Sequence, residues 1–175
     1  MQPLLNQVRV IYDMQTELVG TLEAEKVYTF STPPVHGLSY RIVNPKGKGF
    51  KEIVGQCWKY VDSSTQRNNT EIVKTIDIIQ RVIDKVSDLW VSVDSETDEI
   101  VGCFVIGAAA YPQATGIMSE ALGGRFEFSD MFPIVEEYYK KLGYAFVELT
   151  GRKGWEKKLK PLGYELTSIT VYKRL

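Results

Sequence analysis

The chain has 175 residues, which is enough for one ordinary domain and too few for two full ones. Hydrophobic residues make up 44% and charged residues 25%, which is typical of a globular protein and excludes a wholly disordered chain. Since 21 Lys and Arg face 22 Asp and Glu, the net charge of -1 argues against a globally basic nucleic-acid-binding protein.

The sequence also argues against a membrane partner. No run approaches the roughly 18 to 20 apolar residues that a membrane-spanning helix needs. The first residues lack the charged start and the apolar core of a secretory signal. We therefore expect a protein that works away from the bilayer.

Cysteine and histidine are too sparse for a metal site. Cys57 and Cys103 lie far apart and form neither a CxxC pair nor a zinc-ligand spacing. His36 is the single histidine of the chain, so a histidine cluster for metal catalysis is missing. We expect no metal cofactor, and two buried, reduced cysteines in a reducing compartment.

The first 69 residues are predicted to form an irregular arm. Residues 4–22 can be interpreted as an amphipathic helix, although residues 8–12 could instead form a strand. Between residues 27 and 51, repeated Pro and Gly separate short extended pieces, which is typical of long loops. The apolar residues at helical spacing in the first segment are Leu4, Val8, Ile11, Leu18 and Leu22.

A helix is predicted to begin near Asn68, because Glu71 follows three residues later as in a capping box. Apolar residues then recur at helical spacing, and we expect this face to point into the core. The residues of that face are Ile72, Ile76, Ile79, Ile83 and Val86, and Val73 and Val82 widen it.

The rest of the chain alternates between strand and helix patterns. Strands at 89–93 and 100–106 flank a turn and predict a hairpin. The order of helix, hairpin, strand, helix, strand, helix and strand predicts a mixed α/β sheet with helices on its faces. The later elements are expected as a strand at 115–121, a helix at 132–142, a strand at 145–149, a helix at 154–162 and a strand at 164–172.

This order, together with several short motifs, resembles the catalytic half of the Gcn5-related N-acetyltransferase (GNAT) fold. A more specific resemblance is to acetyltransferase-like proteins of tailed bacteriophages, carried most strongly by the Gly-Arg-Lys-Gly-Trp stretch at 151–155. The motifs concerned are Leu89-Trp90, Ile100-Val101-Gly102-Cys103, Tyr111-Pro112, Gly123-Gly124-Arg125, Leu142-Gly143-Tyr144, Gly151-Arg152-Lys153-Gly154-Trp155 and Leu162-Gly163-Tyr164.

The resemblance implies a mixed, mostly antiparallel sheet flanked by helices. It covers residues 71–175 and leaves the N-terminal part unexplained. We therefore expect an N-terminal arm or extension over residues 1–69 and a GNAT-like domain over residues 70–175.

The resemblance also implies acetyl-CoA as cofactor. In the family it lies where two neighbouring parallel strands diverge, and its pyrophosphate meets backbone N–H groups at the start of the following helix. Here Gly123 and Gly124 would allow close backbone approach, and Arg125 could pair with a phosphate. The glycine pair is equally compatible with an ordinary turn.

A basic run near the C-terminus is a second candidate for phosphate contacts, and Arg152 is its predicted cofactor-binding residue. The run could also touch nucleic acid, or it could form the solvated face of a helix. It consists of Arg152, Lys153, Lys157, Lys158 and Lys160.

The expected phosphate loop departs from the family pattern, Gln/Arg-x-x-Gly-x-Gly/Ala. Glu127 and Asp130 place negative charge where an anion should bind, and Pro133 removes a backbone donor. Many family members use a Tyr four residues before the final helix-ending Gly as general acid. Leu159 stands at that position here.

A general base needs only a carboxylate within reach of the amine, directly or through one water. The candidates are Glu99, Glu120 and Glu148. Glu120 is favoured as catalytic residue because it is predicted to lie on the strand beside the cleft.

Two functions follow as predictions. The first is a phage-type, acetyl-CoA-dependent N-acetyltransferase that modifies an amine in the host cytoplasm. The second is a non-catalytic structural or assembly protein of the virion, internal or associated with the connector or tail. In that case its N-terminal arm would hold other virion proteins. A nucleic-acid partner rests on the basic run alone and is not expected.

Overall fold

The computed structural model describes residues 26–67, 72–151 and 154–167. The strands are β1 Tyr28–Ser31, β2 Leu38–Val43, β3 Ser87–Asp94, β4 Ile100–Ala110, β5 Thr115–Gly124 and β6 Val147–Glu148. The helices are α1 Phe50–Arg67, α2 Thr75–Ile83, α3 Phe128–Lys141 and α4 Trp155–Leu159, followed by a 3₁₀ turn over Lys160–Leu162.

The six strands form one sheet in the order in which they occur in the chain, β1-β2-β3-β4-β5-β6. Every neighbouring pair is antiparallel except β5 and β6, which run parallel and are joined through α3. Short connections join β1 to β2, β3 to β4 and β4 to β5, since antiparallel strands need only a tight connection, whereas β2 and β3 are joined through α1 and α2. The predicted mixed, mostly antiparallel sheet is confirmed.

Side chains alternate between the two faces of the sheet and form two apolar clusters. Leu89, Val91 and Val93 point to the face that α1 and α2 cover. Trp90 points to the other face, where it is fully buried and its ring stacks on that of Phe104 at 5.5 Å between centroids. Helix α3 covers this second face. The period-2 alternation of β3 therefore places a core on both sides of the sheet.

The described residues of the N-terminal part contain regular elements where long loops were expected between residues 27 and 51. β1 and β2 form an antiparallel pair within the common sheet, and α1 buries Ile53, Cys57 and Val61 at helical spacing. Glycines that suggested long loops instead lie at tight turns, such as Gly37 with a φ of 79° between the two strands. Described residues on both sides of the predicted boundary at residue 69 thus share one sheet.

Helix α2 begins later than predicted and buries only part of the predicted face, namely Ile79 and Val82. Asp77 accepts a hydrogen bond of 2.8 Å from the backbone N–H of Lys74, which satisfies one donor of the first turn. The buried residues are Thr75, Ile78, Ile79 and Val82. Of the apolar face predicted to be buried, Ile72, Ile76, Ile83 and Val86 are exposed.

The remaining elements follow the prediction until the chain passes Gly163. Gly143 and Gly163 take positive φ values of 88° and 87° where α3 and the 3₁₀ turn end. The strand predicted at 164–172 is absent from residues 164–167, and its remainder lies outside the described residues. The helix predicted at 4–22 and the capping pair Asn68 and Glu71 lie outside them as well.

Within the described ranges, no helix is long and apolar enough to cross a membrane. The same ranges contain no group of three or more His, Cys, Asp or Glu side chains placed to hold a metal ion. Cys57 and Cys103 are buried and free, as predicted. The pKa of the Cys103 thiol is raised mainly by a hydrogen bond to Cys57 and secondly by burial, and this disfavours the reactive thiolate.

Candidate functional site

The parallel strands β5 and β6 pair over a short distance and then part. Their register joins Ile117 with Val147 and Met118 with Glu148. β6 ends at Glu148, whereas β5 continues to Gly124, so among the described residues the later part of β5 has an edge without a strand partner. We call this divergence, beyond Met118 and Glu148, the fork.

A cavity of about 190 Å³ lies at the fork. The end of α1 bounds it on one side, and the chain after β6 bounds it on the other. At its wall the Leu122 N–H donates to Ser64 Oγ at 3.1 Å. The edge of β5 therefore meets a side chain of α1 here. The lining residues are Ser64, Arg67, Ser119, Glu120, Ala121, Leu122, Thr150, Gly151 and Trp155.

A second depression, of about 420 Å³, lies beside α4 and the chain after Gly163. It is more than twice as large as the fork cavity, but no residue of the sheet lines it. Glu156 and Glu165 place negative charge there, and Lys160 places positive charge. We assign the candidate site to the fork because it has walls from the sheet and from two helices.

Glu120 occupies a β-bulge in β5. The pairing of β4 with β5 shifts between Val105, opposite Ala121, and Ile106, opposite Ser119, so Glu120 is the extra residue. Its side chain is 10% exposed, and Arg81 Nη2 lies 2.6 Å from its Oε1. Glu120 Oε2 accepts a hydrogen bond of 3.0 Å from Ser87 Oγ. The predicted base thus lines the cavity, while both carboxylate oxygens have partners within the chain.

Gly123 and Gly124 are explained by close packing inside the protein. A Cβ on Gly123 would lie 2.5 Å from the backbone oxygen of Tyr60 in α1. Gly124 has a φ of 95°, and a Cβ there would lie 2.5 Å from the oxygen of Val101. Both glycines therefore let α1 and β4 approach β5, and the close backbone approach expected toward a phosphate is used within the fold.

Arg125 follows these glycines and is tied to the β3–β4 hairpin. Its Nη1 lies 2.9 Å from Asp94 Oδ2, and its side chain is 57% exposed. Its backbone N–H donates to Val101, and its carbonyl accepts a hydrogen bond of 2.6 Å from Ser92 Oγ. Asp94 also accepts from the backbone N–H of Glu96, and these hydrogen bonds hold the pKa of Asp94 below its ordinary value.

The start of α3 carries acidic side chains, as the sequence indicates. Asp130 Oδ2 lies 2.8 Å from His36 Nδ1, and the hydrogen bond to Asp130 raises the pKa of the exposed His36 imidazole. The backbone N–H of Glu127 donates to the hydroxyl of Tyr40 at 3.4 Å. We call residues 125–127, between β5 and α3, the α3 loop. Arg125 lies in this loop and Asp130 lies shortly after it, and each is paired with another side chain of the protein.

Other predicted site residues lie apart from the fork or outside the described residues. Leu159 is buried in the core, so it supplies no acid at the position where many GNAT proteins have a Tyr. Glu148 accepts a hydrogen bond of 2.8 Å from the Tyr111 hydroxyl, and Glu99 is exposed after the hairpin turn. Arg152 lies outside the described residues.

Outside β5, three residues of the cavity were not predicted from the sequence: Ser64, Arg67 and Thr150. The first two lie far from Thr150 in the chain, and none of the three belongs to a motif. The spacing of Ile53, Cys57 and Val61 could have revealed α1, but it gives no signal that the end of α1 reaches β5. That contact depends on tertiary packing, as the approach of Tyr60 to Gly123 shows.

The residues present fit an acyl-CoA in one part and not in another. The fork offers a walled cavity along a strand edge, which suits an extended thioester arm. The α3 loop does not suit a pyrophosphate held as in the family, because Glu127 and Asp130 are acidic and Arg125 is already paired. This part of the site departs from the family arrangement.

Comparison with known proteins finds similarity in structure alone. No protein-family model and no curated protein matches the sequence. A Trypanosoma brucei acetyltransferase aligns with a TM-score of 0.55 at 12% identity, covering 79% of this chain and 99% of that one. An aminoglycoside acetyltransferase from an uncultured soil metagenomic sample, in complex with trehalose, aligns with a TM-score of 0.54 at 12% identity, covering 79% and 97%.

A GNAT family acetyltransferase of Staphylococcus aureus is a further structural neighbour. It aligns with a TM-score of 0.50 at 15% identity, covering 79% of this chain and 99% of that one. At such identities the likeness concerns the fold, and function has to be argued from the site. The sheet order, the parallel β5–β6 pair and these neighbours together show that the chain has the GNAT fold.

Proposed function

We propose that the chain is an N-acetyltransferase that takes its acyl group from acetyl-CoA bound at the fork. The observation that carries the proposal is the divergence of β5 and β6 beyond Met118 and Glu148, with a cavity at that point. An edge of β5 without a strand partner offers backbone groups to an extended, amide-containing arm. The fold of the structural neighbours supports the same function.

The chain would contribute mainly by positioning the two reactants. Acetyl-CoA supplies an activated acyl group, and an amine held beside it needs little further assistance. Ser64 and Leu122 form the wall of the cavity, and Arg67 places a positive charge in its lining. The acceptor amine would reach the acyl group through this cavity.

Glu120 stays our proposed general base. It belongs to the residues that line the cavity, but its hydrogen bond to Ser87 and its ion pair with Arg81 hold the carboxylate over β4, on the side of β5 away from β6. To act as a base it would have to turn toward the fork. To accept a proton from an amine, directly or through one water, one oxygen must take up a new partner. Because both oxygens are already paired, most of the acceleration is expected from positioning.

Phosphate contacts are proposed at Arg125 and Arg152. Arg125 would have to exchange its partner Asp94 for a phosphate, and its exposed side chain allows that exchange. Arg152 directly follows Gly151, which lines the fork cavity. Gly123 and Gly124 would contribute through the backbone only as far as their packing against α1 permits.

The proposal is tested by calorimetric titration with acetyl-CoA, using Thr150→Trp as the blocking variant. Thr150 is exposed at the cavity, so an indole there would fill the fork without disturbing the core. We expect affinity to fall by about 100-fold at an unchanged melting temperature. The matched control is Thr97→Trp, in the exposed β3–β4 turn, which should bind as the native chain does.

Equal loss of affinity in both variants, or binding that neither changes, would place the cofactor elsewhere. If the native chain shows no heat of binding at millimolar acetyl-CoA, the enzyme function is wrong. Transfer to an amine is then measured separately as release of free CoA thiol in the presence of a panel of amines.

A second candidate function is a non-catalytic structural or assembly protein of a phage virion. Two observations favour it: Arg125 and Asp130 already have partners within the chain, and Leu159 occupies the position of the usual acid. The phage relation itself is supported by the resemblance of the Gly-Arg-Lys-Gly-Trp stretch at 151–155. In that role the partners would be other virion proteins, held through the N-terminal segment.

The two functions also differ in where the protein acts. An enzyme would work in the host cytoplasm, whereas a structural protein would be found in the particle. Mass spectrometry of purified virions separates these cases, because an enzyme left behind in the lysate would be depleted from particles.

A further inference from the structure

Helix α2 carries more apolar surface than the sheet covers. Ile76 and Ile83 are 53% and 47% exposed, although both lie in a helix whose other apolar residues are buried. Flanking residues extend this surface at both ends of the helix. The α2 stripe, as we call it, consists of Ile72, Val73, Ile76, Ile83 and Val86. A helix that is apolar beyond its core-facing side usually has a second partner.

The α2 stripe faces the β1–β2 side of the sheet. On α2, Arg81 reaches across to Glu120 on β5. Ile76 and Ile83 lie roughly 140° and 160° around the helix from Arg81, since each residue turns about 100°. In the strand order, β5 lies on one side of β3 and β4, and β1 and β2 lie on the other. The stripe therefore points away from the fork, toward the first two strands.

The described chain also begins on this side of the molecule. Tyr28 pairs with Val43 at the end of β2, and Ile42 pairs with Trp90 near the start of β3. The backbone oxygen of Lys26 accepts a hydrogen bond of 3.0 Å from Asn44 Nδ2. One strand separates β1 from β3, so Lys26 lies about 10 Å from the point where the chain leaves α2 and enters β3.

We propose that residues 4–22 pack their apolar side chains on the α2 stripe of the same molecule. The sequence pattern of this segment predicts an amphipathic helix whose apolar residues would suit such a surface. The connection from residue 22 to Lys26 is short. A segment tethered so close to its site has a high effective concentration there, which favours it over a separate partner molecule.

Amide hydrogen exchange of the full chain, measured by mass spectrometry, tests this proposal. We expect peptides from residues 4–22 to be protected in the native chain. In Ile76→Glu they should exchange about tenfold faster, because a charge would be placed in the apolar contact. Ile76 is half-exposed, so this variant should keep native protection in β3, β4 and β5.

The matched control is Thr97→Glu, which adds the same charge in the exposed β3–β4 turn. It should leave the protection of residues 4–22 unchanged. The contribution of residues 4–22 is tested by comparing Leu18→Glu with Thr16→Glu. The first variant should abolish the amide protection of this segment, and the second should not. Fast exchange of residues 4–22 in the native chain would overturn the proposal, as would equal effects in each pair.

Light scattering after gel filtration distinguishes the other occupant, a second copy of the chain. We expect a monomer in the native chain and in Ile76→Glu. A native dimer that Ile76→Glu converts to a monomer would assign the α2 stripe to a subunit interface and overturn the intramolecular contact.

Discussion

The fork and the α3 loop follow each other along the chain, yet they differ in how much of their surface is open to a ligand. At the fork, β5 has lost its strand partner, and a walled cavity lies beside it. At the α3 loop, Arg125 is paired with Asp94, and Asp130 is paired with His36. One end is thus open to a ligand, whereas the other is occupied by the charges of the chain itself.

This difference separates two contributions to a binding site. The geometry of the fork comes from the sheet topology, which is set by apolar alternation and by glycines that admit neighbouring backbone. The charges of the loop depend on individual side chains that can change while the fold persists. A fold can therefore keep the shape of a cofactor site after its electrostatics have changed.

The largest expected effect concerns the glycine that lies between the two regions. In Gly123→Ala the new Cβ would meet the Tyr60 backbone oxygen at 2.5 Å, and we expect a loss of about 1–3 kcal/mol in unfolding free energy. Gly55→Ala, in α1 with open space around it, should instead stabilise by about 0.5–1 kcal/mol. Denaturant unfolding measures both. If Gly123→Ala leaves the unfolding free energy unchanged, packing against Tyr60 does not require a glycine here. Gly123 would then be a better candidate for contact with a phosphate.

The variant Glu120→Gln tests the role of the fork. Replacing a carboxylate that pairs with Arg81 and Ser87 should cost about 1–2 kcal/mol of stability, because two charge-assisted contacts weaken. If Glu120 is also the base, kcat should drop by about 100-fold. A stability change with an unaltered kcat would leave Glu120 a purely structural residue.

The charge pair at the α3 loop offers a comparison in affinity. Asp94→Asn should release the Arg125 guanidinium and strengthen acetyl-CoA binding by about threefold. Arg125→Ala should weaken it by about tenfold. Calorimetry of the two single variants and the double variant checks whether Asp94 acts through Arg125. If Arg125→Ala has no effect, the loop is closed to phosphate as its contacts indicate.

The smallest effect is expected at the other pair, and it depends on pH. Asp130 raises the pKa of His36 above 6.5, so the pair stabilises the fold fully below pH 6.5 and less as the pH rises through the raised pKa. Asp130→Asn should lower the His36 pKa toward 6.5 and flatten that dependence. NMR titration is direct, since His36 is the chain's single histidine. An unshifted resonance would mean that the pair does not form in solution.

Local patterns predicted the second half of the fold well. Residues 89–93, 100–106 and 115–121 were expected as strands and lie in β3, β4 and β5, because alternation and turn residues mark them directly. Short extended pieces were expected before α1, but they were assigned to long loops because of the Pro and Gly residues around them. In the structure these residues lie at turns of a hairpin that needs the neighbouring β3 to complete it.

The site was less predictable than the fold. Glu120 was expected on the strand beside the cleft and lies in β5, but its partners Arg81 and Ser87 come from other elements and carry no local signal. The buried side of α2 likewise has no clear signal in the local sequence. Periodicity identified a helix, but two apolar sides fit the sequence about equally, and only packing on the sheet selects one.

The placement of the three tryptophans gives the protein built-in optical probes. Trp90 is fully buried against Phe104, so its emission should respond to unfolding and little else. Trp58 is 40% exposed on α1 and should provide a constant, solvent-like background. Trp155 lines the fork cavity, so a ligand that occupies the fork should change its fluorescence. Binding at the fork can therefore be followed without a label, and Trp155→Phe would identify the source of the signal.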